Sequence, residues 1–278
     1  MNNSHDLSFI DTIEEFRAIP SIIMELMGLL NELPDKEIEI TIVNRIGLDP
    51  ALAAFVLKFC NSPFFAHRKS INTISHAYHM MGFTRIKSIL MSYFLRSLCN
   101  KIGNEYFSNY LWEHSFQVAF IARELANHLG QRKIAEEAYT AGLLHDIGKQ
   151  AIYFHDRLNY EYLLQHVDKE RKPLLPLEQS TYGFSHADTG TRLLEKWRFS
   201  ELLIHSVQYH HDFDNYPGKE KVVGIVAFAN ITAHYALEKQ EELPVKFLEF
   251  FKLTENRYNK VIEDIFRILS SSWLISLE

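Results

Sequence analysis

"GLLHDIGKQ", residues 142–150, carries an apolar run directly into His145–Asp146 and then past Gly148 to Lys149. The run reads as core helix, so an imidazole, a carboxylate and an ammonium stand where side chains are normally buried. Such groups are costly in an interior unless something pairs with them. One reading is a polar helix end, with Gly148 as the C-terminal stop and Lys149 at the negative end of the helix dipole. The other is a buried pocket, in which Lys149 neutralises a bound phosphate.

The flanking sequence reads as helix after helix. "SIIMELMGLLNEL" (21–33) is apolar on most faces and stops before Pro34, after a lead-in segment that ends at Pro20. "EIEITIVNRI" (37–46) alternates enough to suit a strand, but its short length and the adjoining "GLDPALAAFVLKFC" favour a helix. Asp49 before Pro50 is an N-cap with proline at the first helical position, and that helix ends at "NSPFF" (61–65), where Pro63 has no amide proton to give. Residues 72–99 read as two helices joined near Gly82, the second striped by Ile86, Ile89, Leu90, Tyr93, Phe94 and Leu98. "KIGNEY" (101–106) is a hinge. Helices are expected over 107–129, 134–149, 157–168, 177–182, 185–197 and 200–211, with loops at 170–176 and 211–219. A last helix places Tyr258, Val261, Ile262, Ile265, Phe266 and Leu269 on one face. The fold class expected is therefore all-α, with a helical lobe over residues 1–100 packed on a bundle over residues 101–278.

Composition agrees. Only 11 glycines and 8 prolines occur in 278 residues, too few for the turns of an all-β chain. A net charge of −6 argues against sequence-independent binding to nucleic acid. The start has no apolar signal region, and the longest uncharged stretch, Val222 to Leu237, contains Asn230 and His234 and is shorter than a bilayer span. No membrane span is expected, and Cys60 and Cys99 fit two buried thiols in a reducing cytosol.

Among 14 histidines, His114, His145, His186, His210 and His211 fall with Asp146 in four separate helices or helix ends. Bundles build metal sites in this way, from side chains facing inward on different helices. Adjacent residues on a helix diverge by about 100°. His145 and Asp146 can therefore share a site only if a helix edge lies against it, with Asp146 bridging two ions and His145 holding one. His210 and His211 pose the same problem. Imidazoles with a carboxylate suit one or two divalent transition ions, Zn, Fe or Mn, which lower the pKa of bound water and clamp a phosphate ester. In a catalytic pocket Asp146 and Lys149 would be the working charges. Asp188, Asp212 and Asp214 read as solvated, with one of them available as a further carboxylate.

The order His114, His145–Asp146 resembles the signature of the HD superfamily of metal-dependent phosphohydrolases. "HDIGK" followed by "HADTG" (186–190) and "HHD" (210–212) resembles its HD-GYP branch and the related HDOD domain. "LDPALAAFVLKFCNSPFF" (48–65) and "SINTISHAYHMMGFTRIKSIL" (70–90) resemble the front half of HDOD domains, so the likeness covers most of residues 15–235. The resemblance implies an HD-type helical bundle and a signalling or scaffolding role. It also implies a late Asp ligand, and here Asn230 stands in the matching stretch as a weaker, neutral candidate. The GYP element is reduced to "DNYPG" (214–218), and position 110, where some members carry Glu, is Tyr. Two functions are implied: a cytoplasmic signalling module that works through a protein partner or a bound nucleotide, and a phosphohydrolase acting on a nucleotide such as a cyclic dinucleotide. The incomplete ligand set favours the first.

Overall fold

Helix boundaries follow the capping chemistry written in the chain. The computed structural model describes residues 7–13, 35–62, 65, 70–170, 173–238 and 245–271. The helix expected over 21–33 lies outside them. Helix α1 (Asp35–Gly47) settles the ambiguous stretch as helical. In α2 (Pro50–Cys60) the Asp49 carboxylate accepts from the amides of Ala51 and Leu52 at 2.9 and 3.1 Å, and the helix stops before Pro63 as expected. At its far end the Asn61 side chain donates to the carbonyls of Leu57 and Ile71 and accepts from the Ile71 amide, which pins the loop. The long run α3 (Ile74–Asn100) is bent at Gly82, whose φ of 73° and ψ of 167° are open to glycine but strained for other residues. Asn104 then caps α4 (Glu105–His128), so the expected hinge is shorter than 101–106 and already contains the start of the next helix.

The bundle continues with α5 (Ala135–Leu144), α6 (Ile147–His155), α7 (Arg157–Glu170), α8 (Leu174–Tyr182), α9 (His186–Lys196), α10 (Glu201–Tyr209), α11 (Lys221–Glu238), α12 (Val245–Phe250) and α13 (Glu255–Ser271). There is no strand among the described residues. The fold is all-α, with the amino-terminal helices α1–α3 packed on the bundle. Helix α3 lies against α5 and α4, while α11 covers α4 and α5, and α9 packs between α6 and α10. One continuous hydrophobic cluster runs through both parts, from Ile42 and Val56 to Phe116, Leu144, Ile152 and Val226.

Three expectations need correction. The loop expected over 170–176 is shortened, because α8 already begins at Leu174. Residues 7–13, read as a lead-in, are docked. Phe9, Ile10 and Ile13 are buried, and Phe9 stacks on His155 with ring centroids 4.1 Å apart. The apolar gain from covering those side chains holds the segment down. The helix expected over 134–149 is two helices, broken at His145–Asp146, with consequences for the site.

Among the described residues no single helix is long and apolar enough to cross a membrane, and Val222, Val226 and Phe228 of α11 are core residues. Cys60 and Cys99 are unbridged and buried, and burial pushes both thiols up to about 12. A thiol with that pKa is about one part in ten thousand thiolate at pH 8. Native protein is therefore expected not to react with an aromatic disulfide reagent at pH 8, whereas denatured protein should release two equivalents of chromophore. Reaction of either thiol in the folded state would contradict this packing.

Candidate metal centre

The break after Leu144 resolves the geometric conflict at His145–Asp146. His145 is the C-cap of α5, where the last helical carbonyls lack intrahelical partners. Its Nδ1 lies 2.7 Å from the Gly142 carbonyl oxygen. A carbonyl can only accept, so Nδ1 carries a proton and Nε2 is the nitrogen turned to the pocket. The same device recurs at the end of α10. His210 is the C-cap, and its Nδ1 donates to the Val207 carbonyl at 2.6 Å. The helix expected to reach 211 thus ends at Tyr209, and the turn aims His210 and His211 to the same side.

His186 opens α9 behind a capping box in which Ser185 and Asp188 satisfy each other's backbone amides. Its Nδ1 donates to Glu178 Oε2 at 2.6 Å, which again frees Nε2. His114 projects from α4, and Asn230 from α11 places Oδ1 3.1 Å from His114 Nε2. The His234 ring, one turn further along α11, lies tilted against His114 with centroids 4.7 Å apart.

These groups meet at Asp146. It is the N-cap of α6, yet its carboxylate makes no capping hydrogen bond and turns into the pocket instead. Oδ2 lies 3.2 Å from His145 Nε2, 3.4 Å from His114 Nε2 and 2.5 Å from Lys149 Nζ. Oδ1 lies 3.3 Å from His186 Nε2 and 3.5 Å from His210 Nε2, and is buried without a hydrogen bond. The imidazole nitrogens also face each other: 3.2 Å between His114 and His145, 3.3 Å between His186 and His210, and 3.1 Å between His186 and His211. Two donor groups result, His114–His145–Asp146 and Asp146–His186–His210–His211, with Asp146 common to both. All six residues expected to converge do so, and Asn230 joins the first group. His211 is the exposed member, at the rim.

Electrostatics keep these groups in donor form. Burial holds the His114 imidazole well below its ordinary range and pushes His210 down to about 4, so both are neutral at pH 7. Burial opposes ionisation of Asp146, but His145 and Lys149 outweigh it and hold the carboxyl well below the usual carboxylate range. Burial likewise opposes the charge on Lys149, and Asp146 raises that ammonium above its ordinary value. Imidazole Nε2 atoms packed within 3.1–3.3 Å of one another beside an orphaned carboxylate oxygen form an arrangement that a cation among them would satisfy. The residues fit a divalent transition ion.

Several assignments from sequence change. Lys149, read either as a helix-end cation or as a phosphate partner, is buried with its ammonium paired to Asp146. Asp188 is spent on capping and Asp212 holds the Asn215 side chain, so neither replaces the late carboxylate. The buried carboxylate that sequence reading missed is Glu178 of α8, which accepts from the His186 amide at 2.9 Å, from His186 Nδ1 and from the Tyr160 hydroxyl at 2.6 Å. Burial would raise its pKa, but His186 and these hydrogen bonds bring it below the ordinary value. Gly148 is not a helix stop. A Cβ there would lie 1.9 Å from the His186 carbonyl oxygen and 2.7 Å from the Gly190 nitrogen, so α6 and α9 touch backbone to backbone. Gly142 does the same for α5 and α4, 2.9 Å from Ala119 Cα. The two glycines that bracket "LLHDI" bring His114 and His186 to Asp146.

An all-α bundle in which inward-facing imidazoles share one buried carboxylate defines the class: helical proteins of the HD type with a pocket able to hold a metal. The HDOD domain family model matches residues 17–213, and the chain belongs to that family. A crystal structure of an HDOD domain protein with unknown function from Geobacter sulfurreducens superimposes with a TM-score of 0.79 over 98% of both chains, at 22% identity. An uncharacterized protein of Treponema pallidum (strain Nichols) is 27% identical over 250 residues, 88% of this chain and 48% of its own length. Ribonuclease Y of Bacillus subtilis (strain 168) is 31% identical over 127 residues, 46% of this chain and 18% of the enzyme. The chain thus spans about half of the first relative and under a fifth of the second.

Proposed function

We propose that this chain is a metal-holding HDOD signalling module that recognises a phosphate-bearing small molecule, a nucleotide, and hydrolyses it weakly or not at all. The observation that carries the reading is the set of ring Nε2 atoms turned onto Asp146, with acceptors holding the rings of His145, His186 and His210 from behind. A chain gains nothing by facing neutral donors at one another unless a cation joins them. When bound, such an ion polarises a phosphate oxygen and acidifies a coordinated water. The chain's own contribution is to fix the donors' tautomers and to keep Asp146 ionised. In this reading residues 1–100 form the lobe that meets a separate cytoplasmic protein partner and residues 101–278 hold the ion.

Asn230 accounts for the weak chemistry. Two ions held close together repel, and carboxylates offset that repulsion. Among the described residues Asp146 is the carboxylate common to both donor groups, and Asn230 contributes a neutral oxygen. The match to ribonuclease Y favours a second reading, a phosphodiesterase acting on a nucleotide or RNA phosphodiester. A single assay separates the two. Wild type and Asn230→Asp are compared with added Mn or Fe, and linear product from cyclic dinucleotides is measured. Wild type is expected to give little product and Asn230→Asp at least tenfold more. Robust wild-type turnover would establish the enzyme reading in place of the signalling one.

A further inference from the structure

We infer that one divalent ion occupies the half of the pocket formed by Asp146 Oδ1, His186, His210 and His211, and that Glu178 is the positioning residue that selects this half. The inference rests on the reading above that the pocket holds a metal. It adds where the ion sits and why.

The two donor groups look equivalent until charge is counted. On the His114 side, Asp146 Oδ2 already has a buried ammonium 2.5 Å away, Lys149, so an incoming dication meets a fixed positive charge at the oxygen it needs. The remaining donors there are two imidazoles and the amide oxygen of Asn230, 3.1 Å from His114 Nε2, none of which brings a negative charge. On the His186 side, Oδ1 is buried and without a hydrogen bond, and three imidazoles converge near it. Behind His186 stands Glu178, fully buried, 2.6 Å from Nδ1. A carboxylate behind a ligating histidine fixes the ring and makes its outer nitrogen a stronger donor. One half therefore offers a free carboxylate oxygen with a second carboxylate one ring behind it, and the other a carboxylate oxygen already neutralised. His211 is the exposed member of the group, which gives this half a path to solvent.

Glu178 is anchored from three directions: the His186 amide, His186 Nδ1 and the Tyr160 hydroxyl. Glu178→Gln can keep the acceptor facing His186 and turn its amide toward Tyr160, so it removes charge while conserving shape. The test uses the full chain stripped with a chelator and titrated with cobalt(II), read by visible absorption, with zinc competition for affinity. Wild type is expected to take up one tight equivalent. His211→Ala should weaken it at least tenfold, and His114→Ala should change it less than threefold. Glu178→Gln should weaken it about 10- to 100-fold. In that variant the ring-nitrogen NMR signals of His186 should keep the Nδ1–H form, and the melting midpoint of the ion-free protein should stay close to wild type, which a merely structural role would not allow. Asn230→Asp should add a second equivalent. Two equally tight equivalents in wild type, or loss of the ion in His114→Ala with retention in His211→Ala, would overturn the assignment. Failure of wild type to bind cobalt or zinc at all would remove the metal reading itself, and the assignment with it.

Discussion

Asp146→Ala is expected to abolish metal retention and to destabilise the ion-free protein by about 3–5 kcal/mol. The stability loss comes from Lys149, which is 5% exposed and has its ammonium 2.5 Å from the carboxylate. Removing one partner of a buried ion pair leaves an uncompensated charge, and costs of this size are typical. Lys149 can limit the loss by giving up its proton, at about 5 kcal/mol from an ordinary lysine value at pH 7. Each partner sets one edge of a pH window. The Asp146 carboxyl is depressed in the fold, so its contribution is present above the unfolded value near 3.8 and is lost as pH falls through the lower folded value. The Lys149 ammonium is raised, so its contribution is present below about 10.5 and is lost as pH rises through the higher folded value. Pairing Asp146→Asn with Lys149→Met should recover most of the stability and none of the metal. Urea denaturation with chelator present, together with elemental analysis, separates the two effects. Full metal content in Asp146→Ala would refute the bridging role.

Gly148→Ala is the second large effect. Its Cβ would meet the carbonyl oxygen of His186 at 1.9 Å and the nitrogen of Gly190 at 2.7 Å. These are backbone atoms of a neighbouring helix and cannot rotate aside, so α6 and α9 must separate. Overpacking of this kind costs about 3 kcal/mol or more when no side chain can yield. Because His186 begins α9, the same displacement should carry its Nε2 away from Asp146 and weaken ion binding. Gly47→Ala is the control. Nothing lies within 4 Å of a Cβ there, and its backbone is helical, so a gain of about 0.4–1 kcal/mol is expected. A Gly148→Ala protein within 1 kcal/mol of wild type in urea denaturation would disprove the close helix contact.

Much of this is legible in the chain because capping and metal ligation depend on residue identity. Asp49–Pro50, the bend at Gly82 and the order of five histidines around Asp146 are plain from the residues alone. The helix breaks are not. Leu143, Leu144 and Ile147 continue the apolar pattern across 145–146, so periodicity runs on where the backbone turns. At both ends the side chains of His145 and His210 fold back onto carbonyls three residues earlier, a contact that periodicity does not signal. Glu178 is hidden near the start of a short expected helix, 177–182, that carries no other site residue. Its signal is register: with Leu174 and Tyr182 four residues to either side, it places a carboxylate on an apolar stripe, which implies a buried partner. Gly148 reads as a stop because glycine serves both to end helices and to let backbones approach, and sequence alone does not separate the two.

The spacing of the donors along the chain also sets an order of assembly. Asp146 and Lys149 are 3 residues apart, and His186 and His211 are 25 apart, so these contacts close short loops. His114 meets Asn230 across 116 residues. Loop-closure entropy grows with separation, and long-range contacts form only after local structure supports them. As the chain leaves the ribosome, every donor of the His186 half exists once residue 211 has been added, whereas Asn230, which joins the His114 half, arrives only with α11. Ion capture during synthesis can therefore begin on a partly built bundle, with α11 closing over a centre whose inner charge is already neutralised.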